Sequence, residues 1–250
     1  MIHLYNSGGS TCSQRVRFAL ALKGIAYQRT DLNLLAGEHL TPDYLRLNPN
    51  GVIPTLIHDD VVVNDSAVIL EYLEEVFPGT PPLAPESPAG RAKLRAIMRY
   101  IDEVPTASVR IPSFNIAFVR AFHGMSDEEF NSVAAAKPLR KEFMMTMGKS
   151  GFSPEDLAQS LDRLGRAMGR IADEIRRSGG PFILGDRMSI ADIAIMPTLV
   201  RLADIGLERL WSGEPEIARL LALMVVNPAY AETYYPGCHI SERFASARFD

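Results

Sequence analysis

The sequence predicts an α/β domain followed by an all-helical one. Three observations point there. The first 78 residues carry the order β-α-β-α-β-β-α, Pro81, Pro82, Pro85 and Pro88 crowd the stretch that follows, and helical spacing alone patterns the chain beyond it. A mixed four-stranded sheet flanked by helices fits the first part.

Residues 2–5 read as a short apolar strand and residues 6–10 as a Gly/Ser turn. A helix is expected over 13–22, with Val16, Ala19 and Leu20 on its face and Lys23-Gly24 as its stop. Residues 25–32 supply a second strand, which makes a βαβ unit and so a parallel strand pair. Residues 38–47 read as a short helix stopped by Asn48-Pro49-Asn50-Gly51. Residues 55–58 and 61–63 form a hairpin across Asp59-Asp60. Asp65-Ser66 caps a helix that runs to Phe77 and ends at Pro78-Gly79. The proline-rich residues then read as a stiff linker. Past it, residues 91–103, 154–177, 190–202 and 214–226 carry helical spacing. The expected division is residues 1–79, a linker at 80–89, and residues 90–250.

The chain has 250 residues, 47% hydrophobic and 22% charged, which is ordinary globular composition. That length buries a sizeable core without staples. With a formal net charge of -4 and no basic stripe, no nucleic-acid partner is expected. No apolar run approaches the roughly 18 residues of a spanning helix. The N-terminus lacks a basic segment followed by an apolar one, so a cytoplasmic protein without membrane contact is expected. Cys12 and Cys238 lie far apart, which argues against a disulfide framework and for a reducing compartment. The histidines are scattered and the cysteines lack ligand spacing, so no metal is expected.

Four motifs carry chemistry. In Ser10-Thr11-Cys12-Ser13-Gln14-Arg15-Val16-Arg17, hydroxyls and a thiol sit at a helix N-terminus, where free N–H groups and the dipole stabilise an anion. The same residues also read simply as an N-cap. In Val52-Ile53-Pro54-Thr55 a proline enters a strand, either as an edge residue or as a cis bond that frees backbone groups for a peptide ligand. Asp65-Ser66 is a cap that also offers a hydroxyl and an N–H to a carboxylate. Ser189 and Asp192 have the spacing of a capping box, a structural role.

In this order and spacing the motifs resemble the cytosolic glutathione transferases, over nearly the whole chain. The Ser10 to Gly24 run is similar to the zeta-class signature S-S-C-x-W-R-V-R-I-A-L. Val52-Ile53-Pro54 is similar to the family's cis-proline element, and Asp65-Ser66 to its acidic-Ser pair for the γ-glutamyl group. The resemblance implies a thioredoxin-like first domain, a helical substrate domain, and glutathione as co-substrate, bound by Ile53, Pro54, Asp65 and Ser66. His39 is offered for the glycyl carboxylate, with a solvated surface histidine as the alternative. The family's usual assembly implies a homodimer or a heterodimer with a related subunit. A free thiol is only ~3% thiolate at pH 7, and a depression of two units makes it ~75%, a gain of roughly 25-fold. Positioning of the electrophile must supply much of the remaining acceleration.

Three subfamilies place the key residue at three positions. The zeta pattern points to Ser10, reductive dehalogenases of chlorinated hydroquinones to Cys12, and bacterial β-etherases to Ser13. Ser13 and Ser10 are placed ahead of Cys12 as thiolate stabilisers. Cys12 has the alternative of a mixed disulfide with glutathione, because helix N-termini favour thiolates. The segment over residues 110–160, with Met125-Ser126-Asp127-Glu128-Glu129-Phe130, resembles β-etherases that cleave lignin-type aryl ethers. It departs from them at Cys12, where some have Asn. Ile111, Phe114 and Phe118, with Phe122, Phe143, Met144, Met145 and Met147, are offered as the lining of a pocket for a small hydrophobic aromatic substrate, or else as core. Tyr234-Tyr235 either closes that pocket or packs. Zeta-like isomerisation of a maleyl compound, reductive dehalogenation and a non-catalytic glutathione-binding module are the other readings.

Overall fold

The computed structural model describes every residue except Thr80, Ala245, Ser246 and Asp250. The first residue of the expected linker, Thr80, therefore lies outside the described residues. The N-terminal part is built from β1 (Ile2–Asn6), α1 (Thr11–Leu22), β2 (Gln28–Asp31), α2 (Pro42–Leu47), β3 (Thr55–His58), β4 (Val61–Asn64) and α3 (Ser66–Val76). The sheet order is β2-β1-β3-β4. β1 and β2 run parallel, as the βαβ unit requires, and the β1/β3 and β3/β4 pairs are antiparallel. Leu4 faces Leu56 across the β1/β3 pair, and both are fully buried.

Two expected elements differ. β2 is shorter than residues 25–32 because it is an edge strand whose residues are largely exposed. The helix expected over 38–47 divides into a 3-10 turn, Glu38–Leu40, and α2, because Pro42 has no N–H to continue a helix and is suited to its first turn.

The helical part comprises α4 (Pro88–Glu103), α5 (Pro105–Ser108), α6 (Arg110–Ile116), α7 (Asp127–Ala135), α8 (Lys141–Met147), α9 (Pro154–Ser178), α10 (Ile190–Asp204), α11 (Pro215–Val225), α12 (Pro228–Thr233) and α13 (Ile240–Arg243). In α9 the buried Leu164, Ala167, Met168, Ile171 and Ile175 recur at helical spacing, which gives one apolar stripe. α10 is buried on every side from Ile190 to Leu202. Its start is held by Asp192, whose carboxylate accepts from the N–H groups of Ile183 (2.9 Å) and Ser189 (2.8 Å) and from the Ser189 hydroxyl (2.7 Å).

One continuous core joins both parts, because α1 packs against α3, α10 and α12. α1 is so enclosed that Arg15 and Arg17 are each 1% exposed, and both spend their donors on protein acceptors. Arg15 donates to Ala194 O (2.8 Å), Ser66 Oγ (3.2 Å) and Thr106 Oγ1 (2.5 Å), and pairs with Asp102. A buried cation is tolerated only when paired in this way. A second, smaller cluster of Phe122, Phe130, Ala134, Met144, Met147 and Phe152 sits under residues 111–143. No helix among the described residues is long and apolar enough to cross a membrane.

Candidate active site

α1 begins where the chain leaves β1, so its N-terminal N–H groups open near the C-terminal end of that interior strand. Ser10 caps it, and its hydroxyl oxygen accepts the Ser13 N–H at 3.3 Å. As an acceptor in that bond, Ser10 keeps its own O–H to donate elsewhere. The preceding turn is tied down by α1 and α10. Gln14 Nε2 and Arg17 donate to Gly8 O at 3.1 and 2.9 Å, and Arg201 donates to Gly9 O at 2.6 Å. The C-terminal segment closes on the same turn. A Cβ on Gly8 would lie 3.2 Å from Tyr235 Oη, and one on Gly9 3.2 Å from Arg243. Only glycine fits such an approach without a shift.

This turn forms one end of a cavity of about 700 Å³. Ser10, Thr11, Cys12, His39, Ile53 and Tyr235 line its sheet-side wall. Phe114, Phe118, Phe122, Phe143 and Met144 line the cavity from the helical part. Phe114 packs edge-on to Phe118 and Phe143, with ring centroids at 5.2 and 5.0 Å. Arg110, Lys137, Arg140 and Arg201 add positive charge. His39 is buried, with no partner for Nδ1. Burial, with Lys137 nearby, pulls its pKa down to about 4, so the imidazole is neutral at pH 7. Burial likewise lowers Arg201 to about 10, where it stays a cation.

The structure brings together Ser10, Cys12, His39, Ile53, Phe114 and Phe118, and leaves other expected residues outside the lining. Ser13 is fully buried and its Oγ has no partner, because each helix position turns by about 100° and Ser13 is turned into the core. Pro54 stands behind Ile53, joined to it by a cis bond. Asp65 caps α3 through the N–H groups of Ala67 (2.8 Å) and Val68 (3.3 Å), at a left-handed φ of 73° unusual for Asp. Ser66 is buried, its hydroxyl accepting from Arg15. Neither Asp65 nor Ser66 reaches the cavity wall. Ile111 packs on the second cluster instead, Met147 is core, and Met145 is 44% exposed. The solvated reading of His39 is excluded by its burial. Tyr234 stacks on Tyr230 and His239, whereas Tyr235 faces the cavity.

Sequence reasoning missed Thr11, Arg110, Lys137, Arg140 and Arg201 as lining residues. Thr11 had a signal, its place beside Ser10. The four cations had none, since they come from separate segments and only the fold gathers them.

Comparison with known proteins adds to this geometry. The family described as glutathione S-transferase, N-terminal domain, matches residues 9–76, and that described as glutathione S-transferase, C-terminal domain, matches residues 154–228. Glutathione S-transferase 1 of Dianthus caryophyllus is 31% identical over 199 residues, covering 80% of this chain and 76% of the relative. A maleylacetoacetate isomerase of Pseudomonas aeruginosa is 30% identical over 235 residues, covering 92% and 94%. The crystal structure of beta-etherase LigF from Sphingobium sp. strain SYK-6 superposes with a TM-score of 0.82 at 25% identity, covering 93% of this chain and 98% of that one. Fold, site placement and relatives agree: the chain belongs to the glutathione S-transferase family, whose co-substrate is glutathione.

Proposed function

We propose that this glutathione transferase cleaves β-aryl ethers by thiolysis. The carrying observation is the cavity itself, which takes in both a capped helix N-terminus and the rings of Phe114, Phe118, Phe122 and Phe143. The likeness to beta-etherase LigF, close over almost the whole of both chains, supports the choice of electrophile.

In this reading the glutathione sulfur lies at the N-terminus of α1. The Ser10 hydroxyl donates to it and favours the thiolate, with Cys12 beside it. His39, neutral and with an unpaired ring nitrogen, and Lys137 receive the glycyl carboxylate. The backbone of Ile53, before Pro54, receives the peptide, and the γ-glutamyl end runs beyond the cavity lining toward Asp65 and Ser66 at the start of α3. The aromatic wall orients the substrate so that the thiolate attacks the ether-bearing carbon. A C–S bond forms, the C–O bond breaks with its electron pair on oxygen, and the phenolate leaves and takes a proton from water. Positioning of this kind supplies the larger share of the acceleration.

A second reading, isomerisation of a maleyl compound, is favoured by the maleylacetoacetate isomerase relative and by the cations in the cavity. Isomerisation regenerates glutathione, so product analysis separates the two. With glutathione and a guaiacyl ether ketone, mass spectrometry should find guaiacol and an equal amount of glutathione thioether. Binding of glutathione without ether cleavage overturns the etherase reading.

A further inference from the structure

We propose that Arg110 and Arg140 form a subsite for a carboxylate carried by the electrophile. This deepens the reading of the cavity as the site of glutathione transfer and rests on it, but not on which bond is broken.

The two arginines start from different elements, Arg110 at the beginning of α6 and Arg140 just before α8, and both line the cavity. Both lie between residues 77 and 153, outside the two family matches. Each is half-buried, and among the described residues neither side chain makes an ion pair or hydrogen bond. That sets them apart in this protein. Arg15, Arg17 and Arg201, also buried, all donate to carbonyls or side chains. Asp31, the one carboxylate among the described lining residues, is already engaged by Asn6 (2.7 Å), Arg29 (3.2 Å) and Tyr235 (3.2 Å).

Their charges are felt rather than screened away. Burial and the nearby Arg110 push the Arg140 guanidinium down to about 10, while Cys12 acts in the opposite sense. The geometry agrees: Phe114, one turn on from Arg110, packs against Phe143, one turn on from Arg140, with ring centroids 5.0 Å apart. Two like charges kept together without a counter-charge raise the energy of the free protein, and an anion between them relieves it. Planar forks of N–H donors suit a carboxylate in particular. Lys137, one turn before Arg140, is the cation that His39 feels. The pair instead shares its wall with Phe114 and Phe143, where the body of an aromatic electrophile would lie. The ligand class is therefore an aromatic or unsaturated electrophile bearing a carboxylate.

Equilibrium titration of the full chain with S-benzylglutathione and S-(4-carboxybenzyl)glutathione tests this with no turnover, so a failure of ether cleavage has no bearing on it. The wild type should bind the carboxylated conjugate about tenfold more tightly. Arg140→Met and Arg110→Met should each lose most of that preference, whereas Lys141→Met, exposed on the next residue, should keep it. Affinity for S-benzylglutathione in the same variants reports that fold and glutathione half are intact. Equal affinity of the wild type for the two conjugates overturns the proposal. So does a preference that survives in the double variant, or a loss of affinity for both conjugates alike, which would mean that the arginines serve glutathione or the fold.

Discussion

The wall that α1 and the sheet give to the cavity spends its polar groups internally, whereas the wall from residues 109–144 leaves charge and ring faces open. On the first, Gln14, Arg17 and Arg201 all bond to the backbone of the Gly8–Gly9 turn, and small hydroxyls, a thiol, the neutral His39 and Tyr235 face inward. On the second, Arg110, Arg140 and four phenylalanines face inward. The first falls largely within the N-terminal family match, and the second falls between the two matches. In the proposed reading the first wall serves the co-substrate common to the family, and its arginines are spent on holding the turn. The wall that meets the electrophile carries what sets this chain apart.

The largest expected effect removes the frame that both walls share. Arg15→Met strips the buried group that joins α1 to Ser66, Asp102, Thr106 and Ala194, and should cost about 3 kcal/mol in urea unfolding. Loss under about 1 kcal/mol would mean that water replaces the network.

The next separates the walls. Ser10→Ala should lower kcat/KM by roughly 25-fold for every electrophile alike, the gain expected from full thiolate formation. Ser13→Ala should leave activity within about threefold and stability equal or slightly higher, because it removes a buried hydroxyl that bonds to nothing. Steady-state kinetics on both variants decides between them, and a larger loss in Ser13→Ala would break the comparison.

Phe114→Ala should raise KM for an aromatic electrophile about tenfold and leave KM for glutathione unchanged. Equal rises in both constants would show that the walls are not separable.

The effect that is smallest at neutral pH, and that grows only on acidification, concerns His39. Its folded pKa lies below the unfolded value, so the fold prefers the neutral ring. That contribution is complete above about pH 6.5 and is lost as pH falls toward about 4. Unfolding measured from pH 7 to pH 4 should therefore show a steeper decline in the wild type than in His39→Gln.

The fold was legible in the sequence because periodicity, turns and prolines are local signals. Pro78-Gly79 and Asn48-Pro49-Asn50-Gly51 end their helices wherever the rest of the chain goes. The sheet-side wall was partly legible, since Ser10, Cys12 and Ile53 sit in motifs and His39 followed from the family resemblance. Ser13 was not, because motif spacing does not say which side of a helix start faces the core. The electrophile wall was least legible. Phe114 and Phe118 emerged as candidates, but Ile111 is neighbour to both and turns to the second cluster, and the pairing of Arg110 with Arg140 depends on how α6 and α8 come together.

The contacts of Cys238 and Tyr235 with the Gly8 turn span more than 220 residues of chain. During synthesis, the sheet and the bonds from Gln14 and Arg17 to the turn can form long before residue 238 exists, yet the turn receives its last brace only then. The α1 end of the cavity is thus among the last parts of the protein to be finished, although it is written among the first.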